Sequence, residues 1–179
     1  MTKKLHIDTL CVQAGYNPTK GEPRQVPIIQ STTFKYDTSE QMGKLFDLEE
    51  NGYFYTRLQN PTNDTTAAQI AAMEGGVAAM LTSSGQAANF FACFNICQAG
   101  DHMITTTSIY GGTYNLFGVT FPKMGMEITF IDQDASDEEW AAAFRPNTKL
   151  VFGETLSNPN VRILDIERIA NIAHAHGVP

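Results

Sequence analysis

From Pro61 onward the apolar positions follow two alternating rhythms. Short continuous apolar runs, as expected of strands buried on both faces, are separated by longer stretches with helical spacing. Thr62, Asn63 and Asp64 offer N-cap residues for a helix through Glu74, with Ile70 and Met73 on one face and Gly75-Gly76 ending it. The pattern predicts strands over residues 77–82, 103–106, 127–131 and 150–153. Between them it predicts helices over 86–97, from near Gly112 to Phe121, and over 137–144, where Ser136-x-x-Glu139 makes a capping box. A last helix over 165–176 places Ile166, Ile169, Ala170 and Ala173 on one face, with Gly177 just past its end. Strands and helices in this order imply an α/β domain: a mostly parallel sheet with helices on both faces.

Residues 1–60 read differently. Their periodicity is weak and turn formers are frequent: Gly15, Asn17-Pro18, Gly21, Pro23, Pro27. They are expected to form an extended arm with a short helix near 39–48. An arm with so little core of its own needs another surface, either the domain over 61–179 or a neighbouring subunit. The helix over 165–176 leads into Gly177-Val178-Pro179, where the alternation calls for another strand. The α/β domain is therefore expected to be incomplete and the chain to be part of a longer polypeptide.

Composition narrows the function classes. The 179 residues carry a net charge of −7 with no Lys/Arg stripe, which argues against nucleic acid or an acidic membrane as partner. No apolar run approaches the roughly 20 residues of a membrane span, and the first residues are too polar for a signal peptide. Three cysteines give no disulfide framework; Cys93 and Cys97 stand four apart in an apolar helical stretch, where buried thiols are common. A reducing cytoplasm is the expected setting.

The densest chemical signal is Ser83-Ser84-Gly85-Gln86, where an apolar run passes straight into a helix. A helix start leaves N–H groups unpaired at the positive end of the dipole, and glycine lets an anion approach the backbone. The product is a phosphate cradle, although Ser and Gly also serve as plain capping residues. A P-loop pattern and a Gly-x-Gly-x-x-Gly fingerprint are both missing from the sequence. The four histidines are scattered; His174 and His176 suit a helix C-terminus better than a metal. Two further strand ends carry polar or aromatic residues: Tyr110-Gly111-Gly112 follows the strand over 103–106, and Glu154 and Asn158 follow the strand over 150–153. Together with Ser84 they would converge on one crevice at the carboxyl edge of the sheet, where open α/β sheets bind ligands.

Tyr55-Thr56-Arg57, Asn60-Pro61-Thr62, Glu74-Gly75-Gly76, Ser83-Ser84-Gly85-Gln86-Ala87-Ala88, Tyr110-Gly111-Gly112-Thr113 and Glu154-Thr155-x-Ser157-Asn158-Pro159 occur in that order. In this the chain resembles the pyridoxal-phosphate enzymes of cysteine and methionine metabolism, and most of all their O-acetylhomoserine sulfhydrylase branch. The resemblance covers nearly the whole chain. It implies the large cofactor domain of an aspartate-aminotransferase-like, fold type I enzyme. It implies γ-replacement on O-acetylhomoserine by sulfide or a thiol to give homocysteine or methionine, with cystathionine γ-synthase or methionine γ-lyase chemistry as the sister activities. A homo-oligomer is implied too, a dimer of dimers.

Carried over residue by residue, Ser84, Gly85 and Gln86 would hold the cofactor phosphate. Tyr55 and Arg57 would reach it from a neighbouring subunit, a planar guanidinium suiting a phosphate dianion. Tyr110 would stack on the pyridine ring and serve as an acid–base group. Asn158, with Glu154, would lie near the ring hydroxyl. Such enzymes also need a Schiff-base lysine and an aspartate against the pyridine nitrogen. None of Lys3, Lys4, Lys20, Lys35, Lys44, Lys123 or Lys149 stands in the matching motif. The segment alone is expected to be inactive, and an inactive assembly module is the rival reading from another class.

Overall fold

The computed structural model describes residues 5–179; Lys3 and Lys4 lie outside them. The chain forms two compact units, Met1–Leu81 and Thr82–Pro179. In the first, helices α1 (Ile7–Gln13), α2 (Ser39–Phe46) and α3 (Pro61–Glu74) are joined by long stretches without regular structure. Only Leu45, Ala67 and Ala71 are buried apolar residues among those described in this unit. α1 lies along α3: the carbonyl of Cys11 accepts from the Gln69 amide, and a Cβ on Gly15 would fall 2.4 Å from the carbonyl oxygen of Thr65. Gly15 sits at φ +83°, where only glycine is comfortable, so both the turn and the close approach require it.

The second unit is the α/β element. α4 (Gly85–Phe94) leads to β1 (His102–Thr106). Then come α5 (Gly111–Asn115), a π-helical turn over Leu116–Thr120, and α6 (Phe121–Lys123). β2 (Glu127–Ile131), α7 (Asp137–Ala142), β3 (Thr148–Phe152) and α8 (Ile166–Ala175) complete it. The sheet is parallel, in the order β2-β1-β3, with His102 opposite both Glu127 and Thr148. The chain steps to one side of β1 and then crosses back to the other, so right-handed connections fall on opposite faces. The packing follows. Met103, Ile128, Phe130, Leu150 and Phe152 join Phe117, Phe121, Cys93 and Cys97 on one face. Ile104, Ile131 and Val151 meet Trp140 and Ile169 on the other. All five residues of β1 are buried, the mark of a central parallel strand.

Three strands and the amphipathic C-terminal helix stand where the pattern placed them, and Ser136 and Glu139 form the capping box. Residues 77–82 do not form the expected strand. They have no ladder partner among the described residues, and Val77 and Met80 are exposed, so an apolar run there lacks the pairing that makes a strand. α3 is capped by Asn60, whose side chain accepts from the Thr62 N–H, with Pro61 at N1, rather than by residues 62–64. Its buried face is Ala67 and Ala71, while Ile70 is exposed. No helix among the described residues is long and apolar enough to cross a membrane.

Candidate cofactor site

β1 has β2 on one side and β3 on the other, and successive connections leave it in opposite directions, so the β1–β3 boundary is a topological switch point. The turn after β1 carries Ser108 and Tyr110; the loop after β3 carries Glu154 and Asn158. Both oxygens of the Glu154 carboxylate accept from the Tyr110 N–H, at 3.1 and 3.0 Å. This contact, which the sequence does not reveal, closes the gap between the two loops. Tyr110 stands just before α5 with 48% of its surface exposed, so its ring is free to meet a planar ligand.

Ser84 is the N-cap of α4, and its hydroxyl oxygen accepts from the Ala87 N–H at 3.1 Å. The Ser84 carbonyl accepts from Ala88. Among the described residues the N–H groups of Gly85 and Gln86 have no partner, and a Cβ on Gly85 would meet nothing within 4 Å. The Gln86 amide donates to the buried Thr113 hydroxyl at 2.9 Å, and Asn89 donates to the same oxygen at 3.2 Å. Thr113 thus ties α4 to α5, a link between cradle and aromatic that the sequence motifs contain without revealing. Gln86 meets an anion through its main chain while its side chain is occupied.

Asn158 is exposed at the turn of a small hairpin, where Leu156 bridges Ile163. The Ser157 N–H donates to the Arg162 carbonyl at 3.0 Å, and the Arg162 N–H returns to the Ser157 hydroxyl at 2.9 Å. The Arg162 guanidinium reaches Ser108 at 3.0 Å, Asp132 at 2.8 and 3.3 Å, and Asp134. That guanidinium holds the Asp132 carboxyl below the usual carboxylate range. Sequence reasoning missed Arg162; an arginine four residues after Asn158 was the available signal.

Tyr55 and Arg57 belong to the first unit. They share one turn, with the Arg57 guanidinium 5.1 Å from the centre of the Tyr55 ring and Arg57 exposed. Elsewhere, burial pushes the Cys93 thiol up to about 12, which makes it an inert packing group. His174 and His176 end α8, and His176 stacks on Phe144 at 4.1 Å. No cluster of three potential metal ligands occurs among the described residues.

The arrangement suits a phosphorylated planar ring. Two unpartnered N–H groups and the Ser84 hydroxyl proton are donors for a phosphate, with open space over Gly85 and the helix dipole behind them. Thr106, at the crevice end of β1, keeps a buried hydroxyl with no partner among the described residues. Pyridoxal phosphate fits this donor set.

A parallel α/β element with open N–H groups at a helix start and an exposed aromatic at its switch point has the layout of an α/β cofactor enzyme. Residues 8–179 match the family described as Cys/Met metabolism PLP-dependent enzyme, and the chain belongs to that family. It is 42% identical over 176 residues to the homocysteine/cysteine synthase of Kluyveromyces lactis, covering 97% of this chain and 39% of that protein. It is 42% identical over 174 residues to the O-acetyl-L-homoserine sulfhydrylase of Corynebacterium glutamicum, covering 97% and 40%. Among solved structures, a putative O-acetylhomoserine (thiol)-lyase from Campylobacter jejuni, which carries a pyridoxyl-lysine monophosphate, superposes with a TM-score of 0.87 at 36% identity. That match covers 97% of this chain and 43% of the other. The fold type I architecture and pyridoxal phosphate as cofactor, both implied by the sequence motifs, stand. The chain spans about 40% of the length of the curated relatives it matches.

Proposed function

We propose that this chain is the cradle-bearing segment of an O-acetylhomoserine sulfhydrylase, which replaces acetate at Cγ with sulfide or a thiol to give homocysteine or methionine. The observation that carries the substrate reading is the 42% identity to proteins of that name over nearly all of this chain. Pyridoxal phosphate, when bound, supplies an electron sink for negative charge developed beside the substrate nitrogen. Gly85 and Gln86 donate main-chain N–H groups to the phosphate, and Ser84 adds its hydroxyl. Tyr110 would lay its ring beside the pyridine, and its phenolic Oη would serve as the acid–base group for the proton that accompanies loss of the leaving group. Glu154 fixes the main chain of Tyr110, and Asn158 would lie near the ring hydroxyl.

Tyr55 and Arg57 complete the phosphate site of a neighbouring subunit. Arg57 is exposed, and its side chain makes no ion pair among the described residues, which supports such a role. The arm over 1–60 is then an assembly element, and the enzyme is a cytoplasmic homo-oligomer, a dimer of dimers. The deciding experiment supplies the complete purified enzyme with O-acetylhomoserine and sulfide and measures homocysteine. Formation of homocysteine is expected. Product only from an acylhomoserine with cysteine, or only from methionine breakdown, would replace this reading with a sister activity.

A further inference from the structure

Resting on the cofactor reading above, we propose that Arg162 is a positioning residue: it fixes the hairpin turn that presents Asn158 relative to the Ser108–Tyr110 turn that presents the aromatic ring. Three loops leave the carboxyl ends of β1, β2 and β3, and Arg162 touches all three. Its Nη1 donates to Ser108 at 3.0 Å in the first, and both Nη atoms reach Asp132 in the second, where Nη2 also meets Asp134. In the third loop its own N–H and carbonyl close the hairpin on Ser157, the residue before Asn158. Ser108 stands two residues before Tyr110. One planar fork thus measures the separation between the two side chains assigned to the cofactor ring.

The magnitudes favour a directional role over a stabilising one. The Arg162 side chain is 31% exposed, and its partners Asp132 and Asp134 are 53% and 75% exposed. Ion pairs this wet contribute little to global stability. Displacing a reacting group by about 1 Å, by contrast, costs on the order of a hundredfold in rate. The residue beside it, Val161, has φ +53°, a conformation a β-branched side chain adopts only where its surroundings impose it. Arginine suits the place because its rigid fork can meet two carboxylates and a hydroxyl at once; a lysine ammonium has no such geometry.

Two measurements on the complete cofactor-loaded enzyme test this. In the first, Asp132→Ala with Asp134→Ala keeps the tryptic site at Arg162 but removes both carboxylates that hold its side chain. Cleavage of the Arg162–Ile163 bond should accelerate roughly tenfold relative to cleavage after Lys123. In the second, Arg162→Ala should lower kcat about tenfold or more while moving KM less than about threefold, and shift the visible band of the bound cofactor. Arg162→Lys should recover part of both. The proposal is overturned if cleavage after Arg162 rises no more than after Lys123. It is also overturned if Arg162→Ala keeps the wild-type kcat and band, or merely melts at lower temperature with both unchanged. Should the wild-type enzyme fail to convert O-acetylhomoserine, the substrate reading falls, while the cleavage ratio and the cofactor band still judge Arg162.

Discussion

Replacing Glu154 with Ala should loosen the turn that carries Tyr110 without loosening the sheet beneath it. The carboxylate accepts the Tyr110 N–H with both oxygens, at 3.0 and 3.1 Å, and among the described residues that amide has no other acceptor. A hydrogen bond to a charged group contributes about 1.5–3 kcal/mol. Tyr110 is half exposed, so water can replace the lost acceptor and the lower end applies. About 1.5 kcal/mol corresponds to roughly a tenfold rise in local opening. Hydrogen exchange followed by mass spectrometry on the intact enzyme reads this directly in a peptide over residues 107–113. Exchange there should be about tenfold faster in Glu154→Ala and intermediate in Glu154→Gln, whose amide oxygen still accepts one neutral bond. Peptides from β1, β2 and β3 should be unchanged. Wild-type exchange at Tyr110, or acceleration shared equally by the three strands, would refute the clamp.

Other consequences can be checked alongside. Burial and the nearby Arg145 guanidinium lower the basicity of His102, partly offset by Glu127, so the folded protein keeps this ring neutral at a pH where the unfolded chain already takes up a proton. Its contribution to stability is therefore full above the ordinary histidine range and is lost as pH falls through it towards the depressed folded value. Urea midpoints between pH 8 and 5 should show a slope that His102→Asn reduces; equal slopes in the two proteins would refute it. Cys11 is exposed while Cys93 and Cys97 are buried, so a thiol reagent should label one cysteine quickly and the other two only after denaturation. Three fast thiols would contradict the packing. Phe117→Ala, at a fully buried site between Phe121 and Phe152, should cost about 3–5 kcal/mol in denaturant titrations.

Much of this architecture could be read from residue pattern because parallel strands buried on both faces leave short apolar runs between turn residues, as at β1, β2 and β3. The run over 77–82 carries the same signal and forms no strand, since a strand needs a partner as well as a propensity. α1 escaped notice because its cap is His6, an uncommon capping residue, and none of its side chains is buried. The pattern placed the cap of α3 at residues 62–64 because they too are capping types; Pro61 at N1 was the signal that pointed to Asn60. The cradle at Ser84 was legible because its donors are neighbours in sequence. The roles of Glu154 and Arg162 were not, because their partners lie 44 residues away at Tyr110 and 54 residues away at Ser108. Only the register of β1 against β3 brings them together.

That register has its own safeguard at the opposite end of the sheet. β1 is buried on both faces, so sliding it by two residues would keep every side chain pointing to the same layer. His102 removes the ambiguity. Its two ring nitrogens meet the hydroxyls of Thr148 and Thr129 at 2.8 Å each, in a site closed to water. A two-residue slip would set the imidazole against Leu150 and take its Nδ1 away from the Thr148 hydroxyl. The polar pin at the amino edge therefore works as an address label for the carboxyl edge: it determines which residue of β1 ends level with Glu154, some five residues away along the strand. A substitution at His102 that leaves the protein folded would be felt as misalignment at Tyr110, although His102 itself stands at the opposite end of the strand.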